Sequence, residues 1–237
     1  MSMPTQSQTN QDDHRILLFV RAPQRGHVKT RLAKQLGADI TLALYRSFVE
    51  DIITTLKSGS YPTAVFYTPE DQGASVQAWL GKHARCHPQI GTDLGRRMQT
   101  AFILTFCEPV AYAVLIGSDF PDLDIEIIHE AFRALRENDV VVGPATDGGY
   151  YLIGFQKDAL NADVFQGIQW GSRKVWQQTL DQIEHADLTY HTLPVWQDID
   201  TYEDLMAFYA RNKIVKPGLK TIKYLTGVVD NLKRKAF

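Results

Sequence analysis

Two aspartates stand where apolar runs break off. The run 113–116 stops at Gly117-Ser118-Asp119, and the run from Val140 stops at Thr146-Asp147-Gly148-Gly149. A short apolar run bounded by Gly and Pro is the pattern of a buried strand. Each carboxylate therefore falls where its strand leaves the core. In open α/β sheets, ligands gather at that carboxyl edge. Pro121 keeps Phe120 out of the α region and holds the turn open, and Gly148-Gly149 lets the backbone approach a neighbour closely. Two carboxylates at one sheet edge suit a divalent cation or an acid/base pair. The plainer reading of the same residues is a helix cap at Asp119 and a hairpin turn at Asp147.

A second group is cationic. The strand expected over residues 15–20 runs into Arg21-Ala-Pro-Gln-Arg-Gly-His-Val-Lys-Thr-Arg31, which carries Arg21, Arg25, Lys29 and Arg31 around Pro23 and Gly26. A glycine-containing turn from the first strand into a helix is the usual phosphate site of an α/β fold. The spacing matches neither Walker A nor Gly-x-Gly-x-x-Gly. The chemistry is still that of backbone N–H groups and cations facing an anion. Arg21, Ala22, Pro23, Gly26, Lys29 and Arg31 are accordingly read as substrate-binding; a solvated basic loop is the alternative. Farther on, Gly91-Thr-Asp-Leu-Gly-Arg-Arg-Met98 opens a helix, so Asp93 and Arg97 join the binding candidates, although Thr92 or Asp93 alone reads as an N-cap. Thr201 with Asp204 is a capping-box variant, which leaves Asp198 and Asp200 ahead of a helix and free to face a cleft. Trp170, between glycines, is a lid or stacking residue or, more plainly, a satellite core aromatic.

The elements that must position these residues follow from periodicity. Strands are expected over 15–20, 63–67, within 81–88, and over 112–117, 139–144, 150–155 and 188–193. Helical spacing covers 39–56, 76–80, a stretch from Leu94, 125–135, a stretch capped by Ser172, and one after Thr201. The unit 112–144 reads as a right-handed, parallel βαβ, with 150–155 returning antiparallel. The tail from Ile214 to Phe237 mixes lysines with Ile222, Leu225, Val228 and Leu232. It reads as an amphipathic helix on its own domain, on a second subunit or on an anionic membrane, the first being the plainest.

The 237 residues suit one α/β domain with appendages. A net charge of -2 argues against a general nucleic-acid binder. Cys86 and Cys107 form no metal or disulfide framework. No apolar run reaches the length of an integral membrane segment, and the polar first fourteen residues lack a signal-peptide core. The expectation is a cytoplasmic protein with a disordered lead-in.

Taken together, Phe19-Val-Arg-Ala-Pro-Gln-Arg-Gly-His-Val-Lys-Thr-Arg-Leu-Ala33, Gly91–Met98, Gly117-Ser-Asp-Phe-Pro-Asp-Leu123, Ala145-Thr-Asp-Gly-Gly-Tyr-Tyr-Leu-Ile-Gly154 and Asp198-Ile-Asp-Thr-Tyr-Glu-Asp-Leu205 resemble the DUF2064 family. Its members are described as candidate glycosyltransferases of the GT-A, nucleotide-diphospho-sugar transferase superfamily. The resemblance runs from Arg15 to about Ala210. It departs at Arg21, where the family is expected to favour Lys and a planar fork replaces a point charge.

The resemblance implies a GT-A-type α/β three-layer sandwich with a mostly parallel sheet and one antiparallel member. It divides the chain into a lead-in over 1–14, a nucleotide-sugar transferase domain over 15–212 and a basic tail over 213–237. A nucleotide diphosphate would lie across the carboxyl edge, held by Mg²⁺ or Mn²⁺. Ser118-Asp119 matches the acidic motif, with Asp119 a metal ligand. Asp200 matches a second metal ligand, and Lys29 a phosphate-binding position, of the related molybdenum-cofactor and phospholactate nucleotidyltransferases.

The function expected is metal-dependent glycosyl transfer from a nucleotide-diphospho-sugar to a small-molecule acceptor. Lys29, with Arg31 and Arg21, would stabilise the leaving diphosphate, and Asp147 would orient the acceptor or act as base. Gly26, Ser118, Gly148 and Gly149 would bind substrate. Nucleotidyl transfer with release of pyrophosphate is the alternative, and a nucleotide-binding scaffold without turnover is a third reading. A homodimer fits any of them.

Overall fold

The computed structural model describes residues 13–235. Seven strands form one sheet: β1 (His14–Arg21), β2 (Thr63–Thr68), β3 (Arg85–Pro88), β4 (Tyr112–Ile116), β5 (Val140–Pro144), β6 (Tyr150–Gln156) and β7 (Tyr190–Thr192). Their order across the sheet is β3-β2-β1-β4-β6-β5-β7. Only β6 runs against its neighbours. All seven strands expected from the sequence form. The lead-in expected over 1–14 lies outside the described residues except for Asp13 and His14, and His14 is buried and already opens β1.

The expected βαβ unit is corrected in one respect. β4 and β5 run the same way, but β6 lies between them and pairs with both. The reason is burial: Tyr151, Leu152, Ile153 and Phe155 are all at most 1% exposed, so β6 belongs inside the sheet and not at its edge. Gly154 makes the insertion possible, since a Cβ there would meet Val114 Cγ1 at 2.7 Å and Val141 Cγ1 at 2.8 Å on the two flanking strands.

Alternate residues of each strand feed two cores, as the period of two requires. Ile16, Leu18 and Val20 pack with α2 (Ala38–Ser58), α3 (Gly73–Leu80) and α5 (Ile125–Ala134) on one face. Leu17 and Phe19 pack with α4 (Leu94–Phe106) and α6 (Val175–His185) on the other. The Ser172 cap expected for α6 is displaced. Lys174 holds the cap position, and Ser172 Oγ accepts from Lys174 N–H at 3.2 Å in the turn before it.

A third cluster joins α1 (Thr30–Leu36), α2, α7 (Tyr202–Val215) and α8 (Lys220–Lys235) through Leu32, Leu44, Phe48, Leu205, Phe208, Ile222 and Leu225. The amphipathic tail helix thus docks on its own chain. Asp51, buried in the middle of α2, completes the docking: its two oxygens accept from the backbone N–H groups of Lys220 and Thr221 at 2.8 and 2.9 Å. It acts as an N-cap supplied from another helix.

Candidate active site at the carboxyl edge

The first loop is folded back onto the sheet before it reaches Lys29. Ala22 N–H donates to Thr68 O at 2.8 Å, and Ala22 and Pro23 are buried as its base. Tyr45 of α2 fastens the strand end: its hydroxyl accepts from Arg21 N–H at 2.7 Å and donates to Arg21 O at 3.0 Å. The same hydroxyl lies 3.5 Å from Ser118 Oγ. Burial pushes the Tyr45 phenol well above its usual range, which keeps it a donor. The turn is made by Gly26 (φ 79°), and Lys29 itself adopts φ 45°, ψ 50°. For a side chain larger than glycine that conformation is costly, about 1 kcal/mol or more. What it achieves is direction: the Lys29 side chain turns inward, with 6% of it exposed.

Its ammonium lies between the two predicted metal-binding carboxylates, 2.8 Å from Asp119 Oδ1 and 2.7 Å from Asp200 Oδ1. Burial disfavours the charge on Lys29, but Asp119 and then Asp200 outweigh it and hold the pKa above its ordinary value. Arg31 stands 3.8 Å from the second oxygen of Asp200. Asp119 and Asp200 are held side by side because Ile199 N–H donates to Asp119 O at 3.2 Å. The Asp200 end is set by the expected capping box, Thr201 with Asp204.

Asp119, Asp200 and Arg31 separate two clefts. One, of about 410 Å³, is lined by Arg21, His27, Lys29, Thr30, Tyr45 and Ser118 and is basic. The other, of about 820 Å³, holds Asp147, Asp198, Gly149, Tyr150, Trp170 and Arg173 and is largely acidic. Asp147 sits in the plain turn geometry weighed for it, with Oδ1 accepting from Gly149 N–H at 2.8 Å, and it also lines the larger cleft. Trp170 takes the satellite-core position expected of it and also lines the larger cleft. It packs edge-to-face on Tyr150 and over Gly95 of α4, and it walls the cleft.

Several candidates are used elsewhere. Asp93 caps α4, accepting from Arg96 N–H at 2.9 Å, and Arg97 Nε donates to Gly91 O at 3.2 Å, so both close a local loop outside either cleft. Arg25 forms a two-point pair with Asp39 on the surface. Gly148 allows a close approach of the Arg173 backbone, since a Cβ there would lie 2.5 Å from Arg173 O.

Two site residues went unassigned in the sequence. Tyr45 gave no signal beyond that of a core helix residue. Asp198 was visible as an acidic residue ahead of a helix but had no role. Burial, then the charge of Asp147 and beyond it that of Asp200, push its carboxyl up to about 6. The folded protein then binds more protons than the unfolded chain between about pH 4 and pH 6, so this group's contribution to stability falls as pH rises through that window. Asp198→Asn is expected to remove that fall. The Tm of the variant should gain on that of the unaltered protein from pH 4 to pH 7, and parallel Tm profiles would refute the assignment.

The oxygen-donor set suits a hard cation. Asp119 and Asp200 each keep one oxygen beyond the one facing Lys29, and hard cations bound to phosphates take one or two protein carboxylates. Among the described residues, no group of three or more His, Cys, Asp and Glu is arranged as a complete metal site. Phosphate or water oxygens would have to fill the remaining positions.

Comparison with known proteins bears on the family and the fold. No curated protein matches the chain. A candidate nucleotide-diphospho-sugar transferase of Desulfovibrio desulfuricans G20 superposes with a TM-score of 0.89 at 39% identity, over 94% of this chain and 97% of that one. At the level of fold alone, 4-diphosphocytidyl-2C-methyl-D-erythritol synthase of Anaerococcus prevotii DSM 20548 matches with a TM-score of 0.56 at 11% identity, over 85% and 100% of the two chains. Rv0371c of Mycobacterium tuberculosis H37Rv, in complex with manganese, matches at 0.53 and 11%, over 82% and 97%. The profile of a family described as "uncharacterized protein conserved in bacteria" matches residues 52–172. With that span, and with a relative so similar over nearly its whole length, this chain belongs to the DUF2064 family.

Proposed function

We propose that the protein is a metal-dependent glycosyltransferase that uses a nucleotide-diphospho-sugar donor. The observation that carries the reading is the meeting of a basic and an acidic cleft at Lys29, Asp119 and Asp200. A donor fits across that boundary, its diphosphate toward Arg21, Lys29 and Arg31 and its sugar in the larger cleft. Asp119 and Asp200 would hold Mg²⁺ or Mn²⁺, which supplies charge stabilisation to the departing diphosphate. Lys29 and Arg31 add to it from the protein side. An acceptor hydroxyl beside Asp147 would give up its proton to that carboxylate as its oxygen bonds to the sugar's anomeric carbon. The bond from that carbon to the phosphate oxygen breaks, and nucleoside diphosphate leaves.

Nucleotidyl transfer is supported by the likeness of the fold to a diphosphocytidyl synthase. It asks for a phosphorylated acceptor, and the larger cleft would set that phosphate against Asp147 and Asp198 with Arg31 and Arg173 as counter-charges. The acidity of this cleft favours a neutral, hydroxyl-bearing acceptor.

The test is thermal stability against UDP-, GDP-, dTDP- and ADP-sugars, CTP and GTP, each with and without Mn²⁺. A ligand at about a hundred times its dissociation constant adds roughly 2.7 kcal/mol, or about 5–10 °C for a chain of this size. A metal-dependent shift with one nucleotide-sugar, followed by release of nucleoside diphosphate, is the expected result. A shift confined to a triphosphate, with pyrophosphate as product, would overturn it in favour of nucleotidyl transfer. Binding without consumption of any donor would leave a scaffold.

A further inference from the structure

The corner between α7 and α8 takes no part in the reaction proposed above. Ile214 and Val215 are adjacent there and 80% and 75% exposed, the most exposed large apolar side chains among the described residues. They are not the seam of an undocked helix, because Ile222 and Leu225 of α8 are already buried against Leu44, Phe48 and Phe208. The pair stands in a basic setting. From Lys213 to Val229 the chain has four lysines and no acidic residue. Lys216 and Lys220 are tied to Asp124 and Glu50. Lys213 and Lys223 have no carboxylate partner among the described residues, and the Lys213 ammonium lies 5.9 Å from the Tyr209 ring centroid.

The same imbalance holds over the whole chain. Residues 213–237 contain seven basic and one acidic residue, leaving 18 basic and 26 acidic in the first 212. A body at −8 ends in a segment at +6. The net charge of the body opposes approach to an anionic surface, and that of this end favours it.

We propose that the α7–α8 corner docks peripherally on an anionic bilayer, with Ile214 and Val215 entering the headgroup region and Lys213 and Lys223 against lipid phosphates. Two adjacent side chains are too small an apolar area for a stable protein interface, and phosphate-backbone binding alone has no use for them. The helix α7 leads from the capping box beside Asp200 to this corner, about 20 Å along its axis. A docked molecule would keep its cleft clear of the surface.

The test is co-sedimentation of the full chain with vesicles of phosphatidylcholine alone and with about a third phosphatidylglycerol. Binding is expected only to the anionic vesicles. Ile214→Ser/Val215→Ser should weaken it about tenfold or more, and Lys213→Glu/Lys223→Glu by about fivefold per lysine or more. Both variants should keep the unaltered Tm, since they change exposed residues. Equal binding to neutral vesicles, no binding to either, or undiminished binding of the serine variant would each overturn the proposal. So would equal retention of wild type and serine variant on duplex DNA in place of vesicles.

Discussion

A Lys29→Met protein is expected to bind Mn²⁺ more tightly than the unaltered chain in the absence of nucleotide, while its turnover falls by about 10²–10³-fold. The two effects have opposite signs because the proposed function gives Lys29 two roles in turn. Without ligand, its buried ammonium already neutralises Asp119 and Asp200 at 2.8 and 2.7 Å. A divalent ion arriving alone must compete with a charge that is built into the protein. A diphosphate offers that ammonium a second partner, so nucleotide and metal should bind with positive coupling. Methionine ends one atom short of the ammonium and removes the charge, which frees both carboxylates. Titration of Mn²⁺ by electron paramagnetic resonance, with and without nucleoside diphosphate, reads the first effect without any turnover. An unchanged or weaker Mn²⁺ affinity in the variant would show that Lys29 and the metal do not share these carboxylates.

Asp122→Ala is expected to lower stability by about 2–3 kcal/mol and Tm by roughly 5–10 °C. Asp122 is the second aspartate of Ser118-Asp-Phe-Pro-Asp122, and its side chain is 5% exposed. One of its oxygens accepts from Arg211 Nε at 3.0 Å and Asn212 Nδ2 at 2.7 Å, and the other from Trp196 Nε1 at 3.1 Å. Removing it strands three donors at once. The figure stays below that for a fully buried pair because Arg211 is 34% exposed and its charge can be solvated. The loss should reach the site as well. Trp196 begins the segment that carries Asp198 and Asp200, so nucleotide affinity should fall along with stability. A variant whose Tm moves by less than 2 °C would mean that α7 holds its place without this carboxylate.

The strands and all the helices but α1, which is only seven residues long, were legible because their signal is local. Runs such as 140–142 and 151–153 are buried on both faces and announce themselves as apolar blocks bounded by turn residues. The placement of Asp119 and Asp147 at the carboxyl edge followed from where those blocks end. What was not legible depends on partners distant in sequence. Lys29 and Asp200 are 171 positions apart, and no pattern in either segment shows that the ammonium would sit between the carboxylates. The same holds for Tyr45, whose spacing in α2 is that of any core residue but whose hydroxyl clamps Arg21. Asp93 and Arg97 line neither cleft for the opposite reason: cap and loop closure are local uses, and their side chains are engaged in them. The antiparallel direction of β6 was readable from its hairpin, whereas its insertion beside β4 was set by the burial of both its faces.

The insertion of β6 means that the sheet cannot be completed in the order in which its strands are made. As the chain leaves the ribosome, β1 to β4 are complete by Ile116, and β1 can pair with both β2 and β4 at once. The outer edge of β4 has no partner until Tyr150–Gln156 has been made, and Ala113, Val114, Leu115 and Ile116 lie along it. During that interval the nascent protein carries an open, apolar strand edge, the kind of template on which chains associate wrongly. β5 emerges first, but in the finished sheet it lies one position farther out, on the far side of β6. The half of the sheet that bears Asp119 therefore has its full set of neighbours only once the hairpin that bears Asp147 has been made.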